Sequence, residues 1–232
     1  MQVFITGVSK GLGKALASAY LSLGEEVIGI GRSHAFTDKN FRFISCDLEN
    51  LEQVNNLDFG KLSASVLFIN NAGIIGSIER ISEQTSSDIQ SVLNANTLAP
   101  MLLCQKIVKA FTPSEGLTIV NISSGAGKRA IPSWASYCAS KAALDIFSEA
   151  IYLEEKERGR NVKIYALSPG VIDTEMQKKI RSTNTNGFSS SGAFKELKTS
   201  GKLVQPERTA QKIIQLLAEE YSEEVICSLK NS

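Results

Sequence analysis

The feature that most constrains this chain is a glycine-spaced turn where the first strand pattern meets the first helix pattern. Gln2 to Thr6 read as a buried strand and run into Thr6-Gly7-Val8-Ser9-Lys10-Gly11-Leu12-Gly13, where an amphipathic helix pattern opens. Glycine at such places permits a tight turn and lets the backbone come close to a bound group. The exposed N–H groups and positive end of the following helix can then meet a pyrophosphate. A simple turn is the other reading of three glycines, but placement at the opening strand–helix unit favours a dinucleotide site.

The rest of the chain repeats that unit. Short apolar runs at residues 3–6, 27–30, 41–45, 66–70, 118–122, 162–167 and 224–229 read as strands. Most are continuously apolar, as expected where helices cover both faces of a sheet. Helix patterns lie between them at 12–23, 51–57, 85–111, 136–158 and 206–221, the last with Pro206 and Glu207 in its first turn. Strand–helix–strand repetition predicts one α/β domain over residues 1–232. Its architecture is a Rossmann-type, doubly wound, seven-stranded parallel sheet with right-handed crossovers and helices on both faces. One stretch breaks the rhythm: residues 181–192 are rich in Ser, Thr, Asn and Gly and read as a long loop, disordered or a functional lid.

Charge at the end of the second strand bears on which dinucleotide fits. A carboxylate there would accept hydrogen bonds from a ribose 2′-hydroxyl and repel a 2′-phosphate. The run Ile28-Gly29-Ile30-Gly31-Arg32-Ser33 carries none. Arg32 can fork onto a phosphate, Ser33 can donate to it, and Lys10 adds a second positive charge. Either base alone could be a solvated surface charge; together they favour NADP(H).

A second group of residues suits carbonyl chemistry. Tyr137 and Lys141 stand four apart at the start of a helix pattern, on one face, so the ammonium can reach the phenol. A free tyrosine titrates near pH 10, and a neighbouring cation should stabilise the phenolate and lower that value. Ser124 ends the fifth strand pattern and can hold an oxygen on which negative charge develops. Its neighbour Ser123 points the opposite way by strand alternation, so only one of the two faces a site there. In Asn94-Ala95-Asn96-Thr97-Leu98-Ala99-Pro100, Pro100 has no N–H to give the Asn96 carbonyl. A simple proline kink is the other reading, and Asn94 is the rival to Asn96.

The turn spacing T-G-x-x-x-G-x-G resembles that of the short-chain dehydrogenase/reductase family, and matching motifs follow in order along essentially the whole chain. The resemblance implies a coenzyme site at Gly7, Ser9, Lys10, Gly11, Leu12 and Gly13, with Arg32 and Ser33 at the ribose phosphate. It implies that Asp47 and Leu48, in Cys46-Asp47-Leu48, lie against the adenine, although Asp47 also reads as a helix N-cap. Asn71, Ala72 and Gly73, in Asn70-Asn71-Ala72-Gly73, would line the adenosine–ribose channel. Pro169, Gly170, Val171 and Thr174 would hold the nicotinamide carboxamide. The implied catalytic tetrad is Asn96, Ser124, Tyr137 and Lys141, with Tyr137 and Lys141 also touching cofactor, and with a water on the Asn96 carbonyl passing protons to the lysine.

The runs Asn121 to Lys128 and Leu167 to Gln177, with Gly201-Lys202-Leu203-Val204, resemble the sepiapterin-reductase-like branch, and within it the bacterial benzil reductases. That likeness implies reduction of one carbonyl of a 1,2-diketone to an α-hydroxyketone. The substrate would sit outside the carboxyl ends of the strands under a lid at about residues 173–204, between Ser124 and Tyr137, with Trp134, Met176 and Phe188 as apolar walls. The same residues would serve an alcohol dehydrogenase running in reverse; a non-catalytic dinucleotide sensor would be expected to lack Tyr137 or Lys141.

Composition narrows the partners. Net charge is +1 with both signs mixed, which gives no basic stripe for nucleic acid or an anionic membrane. No apolar run approaches the roughly 20 residues of a membrane span, and the strand pattern at the N-terminus leaves no room for a signal peptide. A single histidine, His34, and four scattered cysteines make no metal site, and the thiols suit a reducing cytoplasm. The family pairs through its long helices, here 97–111 and 136–158, which implies a homodimer or homotetramer.

Overall fold

The computed structural model describes residues 1–112, 116–183 and 188–229. Seven parallel strands form its sheet, in the order β3-β2-β1-β4-β5-β6-β7. They are β1 (Gln2–Thr6), β2 (Glu26–Gly31), β3 (Phe41–Ser45), β4 (Ser65–Asn70), β5 (Gly116–Ile122), β6 (Val162–Ser168) and β7 (Ile226–Ser228). The order reverses between β1 and β4, so a crevice opens there beyond the carboxyl ends of the strands.

Alternation along each strand sorts its side chains between two cores. Phe4, Phe68, Leu117, Ile119 and Ile164 face one side, under α2 (Leu51–Asn56), α4 (Ala99–Ala110) and α5 (Ala135–Glu157). Val3, Ile5, Leu67, Ile69, Val120 and Leu167 face the other, with α1 (Gly11–Ser22) and α8 (Pro206–Ala218). Full burial of each such side chain contributes about 1.5–3 kcal/mol. The continuously apolar strand runs are the sequence trace of this two-sided cover.

The helical pattern at 85–111 divides into three pieces. α3 (Ser86–Leu93) starts at a capping box in which the Thr85 side chain accepts from Asp88 N–H. A π-helical turn, Asn94–Leu98, follows, closed by the Ala99 N–H donating to the Asn94 carbonyl, and α4 continues with Pro100 in its first turn. The expected kink is therefore a π turn, the wider winding that often marks functional sites. The last helix stops at Ala218 and β7 spans only three residues, both shorter than their patterns.

The expected long loop is trimmed at both ends. α6 (Glu175–Ser182) runs into it from one side and α7 (Ser191–Thr199) starts within it on the other; residues 184–187 of that stretch lie outside the described residues. Thr174 caps α6 by accepting from Gln177 N–H at 3.4 Å. Polar composition hid both helices, because each buries only a narrow face. Asp173 ties them together by pairing with Arg181 at 3.5 Å and Lys198 at 2.5 Å. A short parallel bridge between Ile172 and Val204 closes the base of this unit.

Candidate active site

One continuous cleft of about 1300 Å³ lies over the carboxyl ends of the strands. At one end, Gly7, Ser9, Lys10, Gly11 and Leu12 line it where β1 turns into α1. Gly7 and Gly11 have φ of +75° and +57°, which side-chain-bearing residues rarely adopt. Gly13 does not reach the cleft. A Cβ there would stand 2.2 Å from the Gly7 carbonyl oxygen and 2.3 Å from Asn71 Nδ2, so its hydrogen lets α1 sit down on the turn. The turn after β4 is stapled to the same place. Thr6 Oγ1 accepts from Asn71 N and Ala72 N at 3.0 and 2.9 Å, and Asn71 Nδ2 donates to the Thr6 carbonyl at 2.9 Å.

Arg32 and Ser33 line the cleft beyond β2, beside Asp47 and Leu48. Asp47 is not a helix cap: Asn50 caps α2, while Asp47 Oδ1 accepts from Glu49 N. Arg32 points to two carboxylates, Glu49 at 3.4 Å and Asp47 at 4.0 Å, with its side chain 67% exposed. Glu49 was not singled out from the sequence, although its place two residues after Asp47 was a signal. Asn94 is removed as a rival site residue, because its side chain donates to the Glu49 carbonyl at 3.1 Å.

In the middle of the cleft Asn71, Ala72 and Gly73 form one wall, and Pro169, Gly170, Val171 and Thr174 the other. Asn96 is fully buried behind the first wall. Its Oδ1 accepts from Ile74 N and its Nδ2 donates to the Ile74 carbonyl, both at 2.8 Å, while Nδ2 also reaches Ser140 Oγ at 3.2 Å. A Cβ on Gly73 would lie 3.1 Å from Asn96 Oδ1 and 3.6 Å from Lys141 Nζ. Asn96 thus clamps the wall directly beside the lysine.

Ser124, Tyr137 and Lys141 meet on the cleft floor. Lys141 Nζ donates to the Ile122 carbonyl at 2.8 Å and lies 5.9 Å from the centre of the Tyr137 ring. Burial pushes the lysine down to about 8, with Asp145 opposing the shift. The lysine by itself does not give the expected lowering of Tyr137. Burial pushes the phenol up to about 12, and a hydrogen bond with Ser124 only partly offsets it. Desolvation wins because the ammonium is aimed at a backbone carbonyl rather than at the phenol oxygen.

Beyond the floor an aromatic cluster borders the cleft. Trp134 lies edge-on to Tyr137 at 5.6 Å and face-on to Phe188 at 5.6 Å, and Phe194 of α7 leans on it at 5.2 Å. Trp134 and Met176 line the cleft as expected. Phe188 does not: it is fully buried behind the indole, and Phe194 takes the wall position instead. The helix pattern of α7 was the only signal for Phe194, and the polar residues around it masked that pattern. Ser133, held at a φ of +69°, sets the turn that places Trp134 at the head of α5.

Known proteins resemble this arrangement. Residues 1–185 match the family profile described as short chain dehydrogenase. A benzil reductase ((S)-benzoin forming) of Bacillus subtilis is 37% identical over 92% of this chain and 91% of its own. An NADPH-dependent pterin aldehyde reductase of Arabidopsis thaliana is 32% identical over 75% of this chain and 76% of its own. Among solved structures, a short-chain dehydrogenase/reductase of Saccharomyces cerevisiae superposes with a TM-score of 0.84 at 24% identity, covering 99% of this chain and 96% of that one; at that identity the likeness speaks for the fold. Among the described residues no helix is long and apolar enough to cross a membrane, and no cluster of potential metal ligands occurs.

Proposed function

The chain belongs to the short-chain dehydrogenase family, and from that premise we propose that it is an NADPH-dependent carbonyl reductase acting on one carbonyl of a 1,2-diketone such as benzil, to give an α-hydroxyketone. The convergence of Ser124, Tyr137 and Lys141 on the floor of a cleft with an aromatic wall carries this reading. The cleft fits a dinucleotide: a glycine cradle stands at one end, a charged pocket at Arg32 beside it, and the reactive floor at the other. When bound, NADPH supplies the hydride for the carbonyl carbon.

The residues divide the remaining work. Ser124 donates to the carbonyl oxygen and orients it. Tyr137, kept as a phenol by burial, gives that oxygen its proton. Lys141 stabilises the phenolate left behind, and Asn96 holds the wall through which protons are resupplied. Arg32, Lys10 and Ser33 would hold the 2′-phosphate. Pro169, Gly170, Val171 and Thr174 would hold the nicotinamide end. α6 and α7, within residues 173–204, act as the lid of a single domain, and Trp134, Met176 and Phe194 receive an aryl group.

The same reading makes the enzyme a cytoplasmic homodimer or homotetramer. Leu98 of the π turn and Ile146 and Leu153 of α5 expose large apolar side chains, which suits pairing of two copies. The four cysteines are free, as a reducing compartment would keep them. The test is NADPH oxidation followed with benzil, diacetyl, a pterin, a quinone and a 3-oxoacyl thioester. Turnover highest with benzil is expected, and activity restricted to the thioester would overturn the diketone reading.

A further inference from the structure

A buried polar seam runs along the inner side of α5 from Lys141. Asn121 on β5 and Ser123 just past its end, where the Ser123 N–H still donates to the Leu167 carbonyl, lie two apart and so point to the same face, the one α5 covers. Asn121 Nδ2 donates to Ser148 Oγ on α5 at 2.8 Å. One turn earlier on α5 is Asp145, and one turn earlier again is Lys141. Ser123 stands against Asp145, and Ser168 is its neighbour on β6, in the register after Ile122 and Leu167. Across the seam, Gly127 closes down so tightly that a Cβ there would meet Asp145 Oδ2 at 2.7 Å and the Lys141 carbonyl carbon at 3.0 Å.

Asp145 and Ser123 are each 4% exposed; Asp145 Oδ1, Ser123 Oγ and Ser168 Oγ make no well-aligned hydrogen bond among the described residues, and Ser123 is the hydroxyl close enough to favour the ionised carboxylate. A native chain seldom leaves buried oxygens in this state, and a buried carboxylate is poor material for stability alone. Its nearest use is the ammonium one turn away.

We propose that Asp145 is a positioning residue of the reaction, acting through Lys141 by holding the charge on the ammonium that serves Tyr137. Burial works against charge on Lys141, and the Asp145 carboxylate opposes it. The carboxylate faces Ser123 and Lys128 from the segment after β5, Lys141 and Glu149 on its own helix, and Cys227 from β7. Burial raises its titration point, Ser123, Lys128 and Lys141 lower it, and Glu149 raises it again. The sign follows: with Asp145 ionised the lysine keeps its proton to higher pH, and without that charge it loses it earlier. The phenol then loses its neighbouring cation, so the alkaline limb of turnover moves to lower pH. This rests on the reading of Tyr137 and Lys141 as the proton-transfer pair.

Asp145→Asn keeps the side-chain shape and removes the charge. The pH profile of kcat for NADPH-dependent reduction of benzil is measured together with an NMR titration of ¹³Cε-labelled lysine, the Lys141 signal being assigned by its absence in Lys141→Arg. Both the alkaline limb and the Lys141 midpoint should fall by about one pH unit. A folded variant with neither displaced overturns the proposal. A wild-type protein whose lysine shows the coupling but reduces no carbonyl would instead refute the functional reading alone. Should Asp145→Asn fail to fold, Asp145→Ser removes the same charge with a smaller side chain; an alkaline limb and a Lys141 midpoint both unmoved in that variant overturn the proposal.

Discussion

Replacing Gly13 by alanine tests how the coenzyme turn is built. The added Cβ would stand 2.2 Å from the Gly7 carbonyl oxygen, 2.3 Å from Asn71 Nδ2 and 3.0 Å from the Gly7 carbonyl carbon. None of these is the free end of a flexible side chain: two are backbone, and Asn71 Nδ2 is held by the Thr6 and Gly7 carbonyls at 2.9 and 3.3 Å. Relief to ordinary contact requires α1 to withdraw by about 1 Å. Overpacking of this kind costs about 1–3 kcal/mol, and a weakened Asn71 staple adds about 1 kcal/mol. A total of about 2–4 kcal/mol lowers the melting temperature of a domain this size by about 4–16 °C. The same withdrawal carries the first N–H groups of α1 off the pyrophosphate, and losing one charge-assisted bond weakens NADPH about tenfold or more. Thermal melting and a fluorescence titration with NADPH measure both effects. Gly192→Ala is the control, since nothing lies within 4 Å of a Cβ there. Wild-type melting and NADPH affinity in Gly13→Ala would refute the close-packing argument.

Beside the glycine turn, Arg32→Ala should raise the KM for NADPH about tenfold and leave NADH nearly unchanged, a modest effect because an exposed guanidinium is screened. Glu49→Gln removes the carboxylate 3.4 Å from Arg32 and should improve NADPH, but not NADH, a few-fold; equal changes with both coenzymes in either variant would discard the phosphate assignment. In the substrate half, Trp134→Ala and Phe194→Ala should each raise the KM for benzil more than for diacetyl, by about tenfold for loss of a stacked ring. Parallel changes for the two diketones would remove the aromatic wall from the account.

Much of the fold could be read in the chain because its signals are local. All seven apolar runs hold strands, the five central ones largely buried on both faces and the edge strands β3 and β7 only partly so, and the glycine turn needs only its own backbone to be recognised. Tyr137 and Lys141 were legible for the same reason, being one helical turn apart. What escaped depends on contacts distant in sequence. Phe188 and Phe194 are six residues apart in a polar stretch, and only the position of Trp134 decides which of them reaches the cleft. Asn96 was read through its carbonyl, whereas the structure also commits its side chain to Ile74, 22 residues away. The titration of Tyr137 could not be read from spacing, because desolvation depends on what surrounds the ring. α6 and α7 were hidden by charges that point to solvent, with only Ile180 and a few neighbours turned inward.

The central claim is that Tyr137 gives its proton to a carbonyl reduced with NADPH. Tyr137→Phe removes only the phenol oxygen and leaves the ring against Trp134. The decisive measurement is kcat for NADPH-dependent reduction of benzil by this variant, with NADPH binding checked by fluorescence. A fall of about a hundredfold or more in kcat with NADPH affinity retained is the expected result. Turnover equal to that of the wild type would contradict the mechanism.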